Sequence, residues 1–204
     1  MGQSGRVELV PTPAPTLLVS AGDTFCAAVT AVVPGQEWAP RDVWSHREER
    51  EGTAVVIARV ATAGELERAL PRLGMTPVGL GAVREGWDGA RQSVQDACDV
   101  LALGRSGVAR FEDAWVLATL GAERERLGVV CDAAYRVAVR NEHLAEAVRA
   151  FADHGLSVVS AARALHIHSN TMIYRLDRWK ALTGWDARTF DGLARSMACL
   201  HVGR

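Results

Sequence analysis

Apolar positions along this chain follow two different rhythms. In the first half, short apolar runs alternate with turn-forming residues. "TLLVS" (16–20), "RDVWSH" (41–46), "TAVVIARV" (53–60) and "PVGLGAV" (77–83) read as strands, the third most strongly because a β-branched run follows Gly52. Between them, "DTFCAAVTAVV" (23–33), "TAGELERALPRL" (62–73, with Thr62 as N-cap) and "WDGARQSVQDACDVLALG" (87–104, stopped by Gly104) read as helices. The proline-punctuated "VPTPAPT" sets residues 1–15 apart as a flexible lead-in. The resulting β-α-β-β-α-β-α order predicts a sheet with helices packed on it, ending near "GVARFED" at residue 112.

From Asp113 the pattern is wholly helical. "EDAWVLATLGAERERL" reads as one helix, and "CDAAYRVAVRNEHLAEAVRAFADHG" as one or two more ending at Gly155, with Leu144, Val148 and Phe151 on one face. Residues 113–141 are therefore expected to be a helical connector, and 142–204 a separate all-α unit. Within that unit "LSVVSAARAL" predicts a short helix capped by Ser157, and the small Ala161 and Ala162 would let a second helix cross closely over it. "HIH" supplies the turn, with Ile167 pointing inward. "SNTMIYRLDRWKALTG" then runs helically to Gly184.

At about 100° per residue, Met172, Leu176, Trp179 and Thr183 fall on one side of this last helix as a buried stripe. Asn170, Tyr174, Asp177, Arg178 and Ala181 lie on the other side, with Thr171 and Arg175 flanking the core. Amide, phenol, hydroxyl and guanidinium groups beside a helix N-terminus suit a DNA major groove. An ordinary solvated helix suits the same face chemistry, and Asp177 argues for it, because a carboxylate facing phosphates is unfavourable unless it reads a cytosine or pairs with an arginine. The helix-turn-helix spacing ahead of it favours DNA.

Charge sharpens this picture. Residues 155–204 carry seven Lys or Arg against three acidic residues, a local charge of +4 that leaves −5 on the rest of a chain whose net charge is −1. A basic end on an acidic body is expected where one end meets a polyanion. Cys26, Cys98, Cys131 and Cys199 stand far apart with no C-x-x-C pair, and are expected to be reduced core thiols. His166 and His168 have no Asp, Glu or Cys close by to complete a metal site. No apolar run approaches the roughly 18 residues of a membrane span, so a soluble, cytoplasmic, nucleoid-associated protein is expected.

The stretch from Ala161 to Gly184, "AARALHIHSNTMIYRLDRWKALTG", resembles the C-terminal helix-turn-helix of the PucR/CdaR family of bacterial transcriptional regulators. The resemblance implies base contacts from His168, Ser169, Asn170 and Tyr174, and phosphate contacts from Ser157, Thr171, Arg175 and Arg178. Ser169 stands where the family often has arginine, and Trp179 where an aliphatic residue is usual. Upstream, residues 77–120 are similar to the segment of these regulators where a degenerate GGDEF-like domain ends. The implied fold class is α+β: a GGDEF-like, ferredoxin-like sheet-and-helix domain over 16–112, followed by the helix-turn-helix domain. The hairpin expected at "HREEREG" (46–52) lacks the paired glycines that cyclases use to approach a nucleotide, which speaks against cyclase activity.

These readings predict a sequence-specific DNA-binding transcriptional regulator acting on double-stranded DNA as a homodimer, since one helix-turn-helix reads only a few base pairs. The alternative is a ligand-sensing or protein-interaction module with a non-specific, nucleoid-type DNA-binding tail. In either case the acidic N-terminal domain is the place for a small-molecule or protein effector. Trp38, Trp44, Trp87 and Trp115, outside the DNA unit, fit a pocket or an interface or, more commonly, a core. No nucleophile motif, phosphate loop or paired-carboxylate spacing is present, so no enzymatic activity, cofactor or metal is expected.

Overall fold

The computed structural model describes residues 22–31, 45–50, 52–70 and 77–203. "TLLVS", Trp38 and Trp44 lie outside them. The chain divides into two compact units, Met1–Thr119 and Leu120–Arg204. The class is α+β, with a sheet and its helices in the first unit and helices alone in the second.

The first unit is built around strand β1, Thr24–Ala31. This is the segment expected to be a helix, and the structure corrects that expectation. Alanine-rich composition favours a helix in isolation, but here alternate residues serve opposite faces of the sheet. Cys26 and Ala28 join Val56, Leu66 and Leu80 on one side, while Phe25, Ala27 and Val29 join Ile57, Val94 and Ala97 on the other. A strand buried on both faces reads as a continuous apolar run without alternation, and its small residues let helices approach closely.

β1 pairs antiparallel with β3 (Thr53–Arg59), which in turn pairs antiparallel with β2 (Ser45–Arg50). On its other side β1 pairs antiparallel with β4 (Val78–Leu80), and β4 runs parallel to β6 (Val108–Arg110). The short β5 (Arg84–Glu85) also pairs with β1, so the described residues form one six-stranded sheet.

Helix α1 (Ala63–Ala69) covers one face. The Thr62 hydroxyl caps it by accepting from Glu65 N. It is shorter than expected because Pro71 pushes Leu70 into extended backbone (φ −69, ψ 141). Helix α2 (Gly86–Leu101) covers the other face so tightly that a Cβ on Gly79 would lie 2.0 Å from Ala97 O, and one on Gly81 1.9 Å from Ser93 O. The Ser93 hydroxyl accepts from Ala27 N at 2.9 Å, tying the helix to the central strand. Trp87 packs edge-on against Phe25, with ring centroids 6.3 Å apart, whereas Trp115 is exposed.

The helical stretch expected to be continuous over 112–127 is broken at Glu123, between α3 (Phe111–Ala122) and α4 (Arg124–Arg140). In the second unit follow α5 (Glu142–Asp153), α6 (Val158–Ala164), α7 (Ser169–Thr183) and α8 (Phe190–Val202). Leu144, Val148 and Phe151 of α5 share one core with Ala161, Ala162, Met172, Leu176 and Trp179.

The cysteines divide between the units. Cys26 and Cys98 are free thiols, and burial pushes them up to about 12 and about 11. Cys131 and Cys199 are instead joined in a disulfide between α4 and α8, with Cα atoms 4.8 Å apart. That corrects the expectation of four reduced thiols. The partners are 68 residues apart in sequence, so only the packing of the two helices brings them together. Among the described residues no helix is long and apolar enough to cross a membrane.

Candidate nucleic-acid interface

The geometry of α6 and α7 begins with two turns that each close a 6→1 hydrogen bond. At the end of α5, Leu156 N donates to Phe151 O, with Gly155 (φ 66) and Leu156 (φ 60) in the left-handed region. At the end of α6, Ile167 N donates to Ala162 O and His166 N to Arg163 O, with His166 at φ 54. This paired 6→1 and 5→2 pattern is a Schellman stop. Glycine usually holds the left-handed place, and histidine holds it here at a cost of about 1 kcal/mol. Ile167 follows the stop and packs against the core, as its inward position in the turn requires.

The next residue starts the second helix. His168 is the N-cap of α7, and its Nδ1 accepts from Asn170 N at 3.2 Å. The two histidines thus have backbone roles, one in the turn and one in the cap. Among the described residues no three His, Cys, Asp or Glu side chains gather as a metal site would require. Ser157 caps α6 in the same way, accepting from Ser160 N at 3.3 Å.

The inner side of α7 is the stripe of Met172, Leu176 and Trp179, each with no exposed surface. Trp179 Nε1 donates to the Ser196 hydroxyl at 2.9 Å, and that hydroxyl donates to Gly192 O at 2.6 Å. A buried indole N–H thereby keeps a partner, and α8 becomes the support that holds α7 at its chosen rotation. The helix ends at Gly184 (φ 80), whose N–H bonds Lys180 O.

The outer side carries Asn170, Thr171, Ile173, Tyr174, Asp177, Arg178 and Ala181, all exposed, with Ser169 half-buried at its start. Asn170, Tyr174 and Asp177 follow one another at i, i+4 and i+7 and so form one ridge. Arg175 is placed differently from its neighbours. Its guanidinium turns back to α5, donating to His143 O at 3.4 Å and lying 3.7 Å from the Glu146 carboxylate. Ile173, which the sequence reading left unassigned, sits among the outward residues and offers a methyl surface.

Arg188, in the loop between α7 and α8, is a second residue that sequence reasoning missed. Its Nη2 donates to Asp177 Oδ1 at 2.6 Å, and its Nε to Asp186 Oδ1 at 2.9 Å. Hydrogen bonds from the Arg188 side chain, the Arg188 backbone N–H and Lys180 hold the Asp186 carboxyl far below its ordinary range. Asp177 therefore stands on the outer ridge as a paired carboxylate. The pairing arginine lies 11 residues on, beyond the reach of helical spacing.

Residues 144–202, which span α5 to α8, match the model of the PucR C-terminal helix-turn-helix domain. No curated protein matches the chain. Among solved structures, the chain is similar to the crystal structure of the regulator of polyketide synthase expression from Bifidobacterium adolescentis. The two are 23% identical over 90% of this chain and 86% of that one, with a TM-score of 0.36.

Proposed function

We propose, from the premise that residues 144–202 are a PucR C-terminal helix-turn-helix domain, that this protein is a sequence-specific DNA-binding transcriptional regulator and not an enzyme. α7 is the recognition helix. The observation that carries this reading is its outward ridge, which starts at the capped N-terminus of α7 with Asn170 and Tyr174, while Met172, Leu176 and Trp179 fix the opposite side in the core. A helix held at one rotation can present the same few side chains to base edges each time it docks, which specificity requires.

In this reading Asn170, Tyr174, His168 and Ser169 meet bases, while Ser157, Thr171 and Arg178 meet phosphates. Arg175 would have to leave Glu146 to do so. Two copies bind two half-sites about one helical turn apart. The N-terminal sheet is read as a degenerate GGDEF-like module that receives an effector. Its β2–β3 hairpin turns at Gly52 behind the charged Arg47, Glu48 and Glu49 rather than behind paired glycines, which speaks against cyclase activity.

The test is recovery of bound fragments from sheared bacterial genomic DNA. Enrichment of a few sites sharing a repeated half-site is expected. Asn170→Ala should lose about 1–3 kcal/mol of discrimination at one base position. Arg178→Ala should weaken binding to all duplexes alike and lower the salt slope by about one. Flat recovery across the genome would replace this reading with the non-specific, nucleoid-type one.

A further inference from the structure

We infer that Asp177 is a base-reading residue for the exocyclic amino group of cytosine, and that Arg188 is the positioning residue that aims it. This rests on the reading of α7 as a recognition helix. A lone carboxylate on a DNA-facing ridge would be repelled by the phosphates, and that is why Asp177 counts against DNA binding when the sequence alone is considered. The structure supplies what the sequence leaves open.

Asp177 lies in line with Asn170 and Tyr174 and is exposed, with 54% of its side-chain surface open. From Asn170 it is about 10 Å along the helix axis, roughly three base-pair steps. Its Oδ1 is held by Arg188 Nη2 at 2.6 Å, and no other side chain among the described residues bonds to Oδ2. One oxygen is thus tied and the other is open to accept.

Arg188 is itself fixed. Its Nε and Nη2 reach the two oxygens of Asp186 at 2.9 and 3.4 Å, and Lys180 Nζ bonds Asp186 Oδ2 at 3.0 Å. The guanidinium is planar and presents its donors in a rigid fork, so with two donors fixed on Asp186 the direction of the remaining bond to Asp177 is set. The loop beneath is also rigid: a Cβ on Gly192 would lie 2.1 Å from Asp186 O, and Thr189 N donates to that same carbonyl at 3.0 Å. Two acids and two bases make the cluster neutral, which removes the phosphate repulsion. Among the four bases, cytosine presents a lone amino donor in the major groove, and Asp or Glu is the side chain that accepts from it.

The experiment is selection from randomised duplexes by the full chain, carried out for the wild type, Asp177→Ala, Arg188→Ala and the double variant, each checked for native helix content by circular dichroism. The wild type is expected to select a cytosine at one position of each half-site, favoured about 5- to 150-fold over other bases. Asp177→Ala should reduce that preference to within about twofold, leave the other positions unchanged, and tighten binding to random duplex because Arg188 is released. Arg188→Ala should weaken binding to every duplex, with the double variant recovering affinity but not the cytosine preference. A wild-type site that Asp177→Ala selects with the same preference at every position overturns this inference and leaves the proposed function standing. A wild type that selects no site overturns both.

Discussion

Trp179 shows how much one buried polar atom can be asked to do. Helix α7 has its largest core residue at this position, and the indole N–H has Ser196 as its partner in a site without exposed surface. Replacing the serine by alanine leaves the donor unpaired and removes the hydroxyl that also bonds Gly192 O. Ser196→Ala is therefore expected to lower the stability of the helical unit by about 1–3 kcal/mol, measured by urea denaturation. An unchanged midpoint would show that the indole N–H finds another partner. His166 and His168 make the complementary point. Their types and spacing raise the question of a metal. The backbone at φ 54 and the cap to Asn170 N give each a local reason to be there.

Between elements, the separation of helix and sheet is set by glycines that the apolar pattern passes over. α2 lies against β4 with no room for a side chain at Gly79, where a Cβ would meet Ala97 O at 2.0 Å and Leu101 Cβ at 3.0 Å. Both obstacles belong to the body of the helix, so neither can swing aside. Gly79→Ala should cost about 1–3 kcal/mol, the usual penalty for overpacking, and lower the melting temperature of the N-terminal unit. Gly52→Ala is a useful contrast, since nothing lies within 4 Å there and the cost arises only from φ 79. The same tight layering explains why β1 is hard to recognise in the sequence. Ala27, Ala28 and Ala31 are good helix formers, and the residues that make the segment a strand, Val55 to Ala58 across the ladder, lie 26 or more positions from their partners. By contrast α1, α6 and α7 carry starts and stops in Thr62, Ser157 and Gly184 that are legible from local sequence, whereas the His168 cap emerges only in the structure.

For the molecule as a whole, the disulfide is the strongest constraint on the helical unit. Cys131 and Cys199 enclose α5, α6 and α7 in one closed loop, and Trp185, just past the end of α7, packs against the pair. Closing a loop of that length removes unfolded-state entropy worth about 4 kcal/mol. Reductant should lower the melting temperature of this unit, while a Cys131→Ser, Cys199→Ser double variant should melt low with or without reductant. A melting temperature indifferent to reductant in the native chain would show that the pair is not bonded in solution. Local sequence by itself determined the α+β class, the Thr62 and Ser157 caps, the buried stripe of α7, and the motif from Ala161 to Gly184, because those features depend on residues within a turn or two of one another. Only the tertiary structure decided that β1 is a central strand, that Cys131 meets Cys199, that Arg175 turns to α5, and that Asp177 is held by Arg188. Each of these depends on which distant segments pack together, a matter of surface burial and side-chain reach that no local spacing contains.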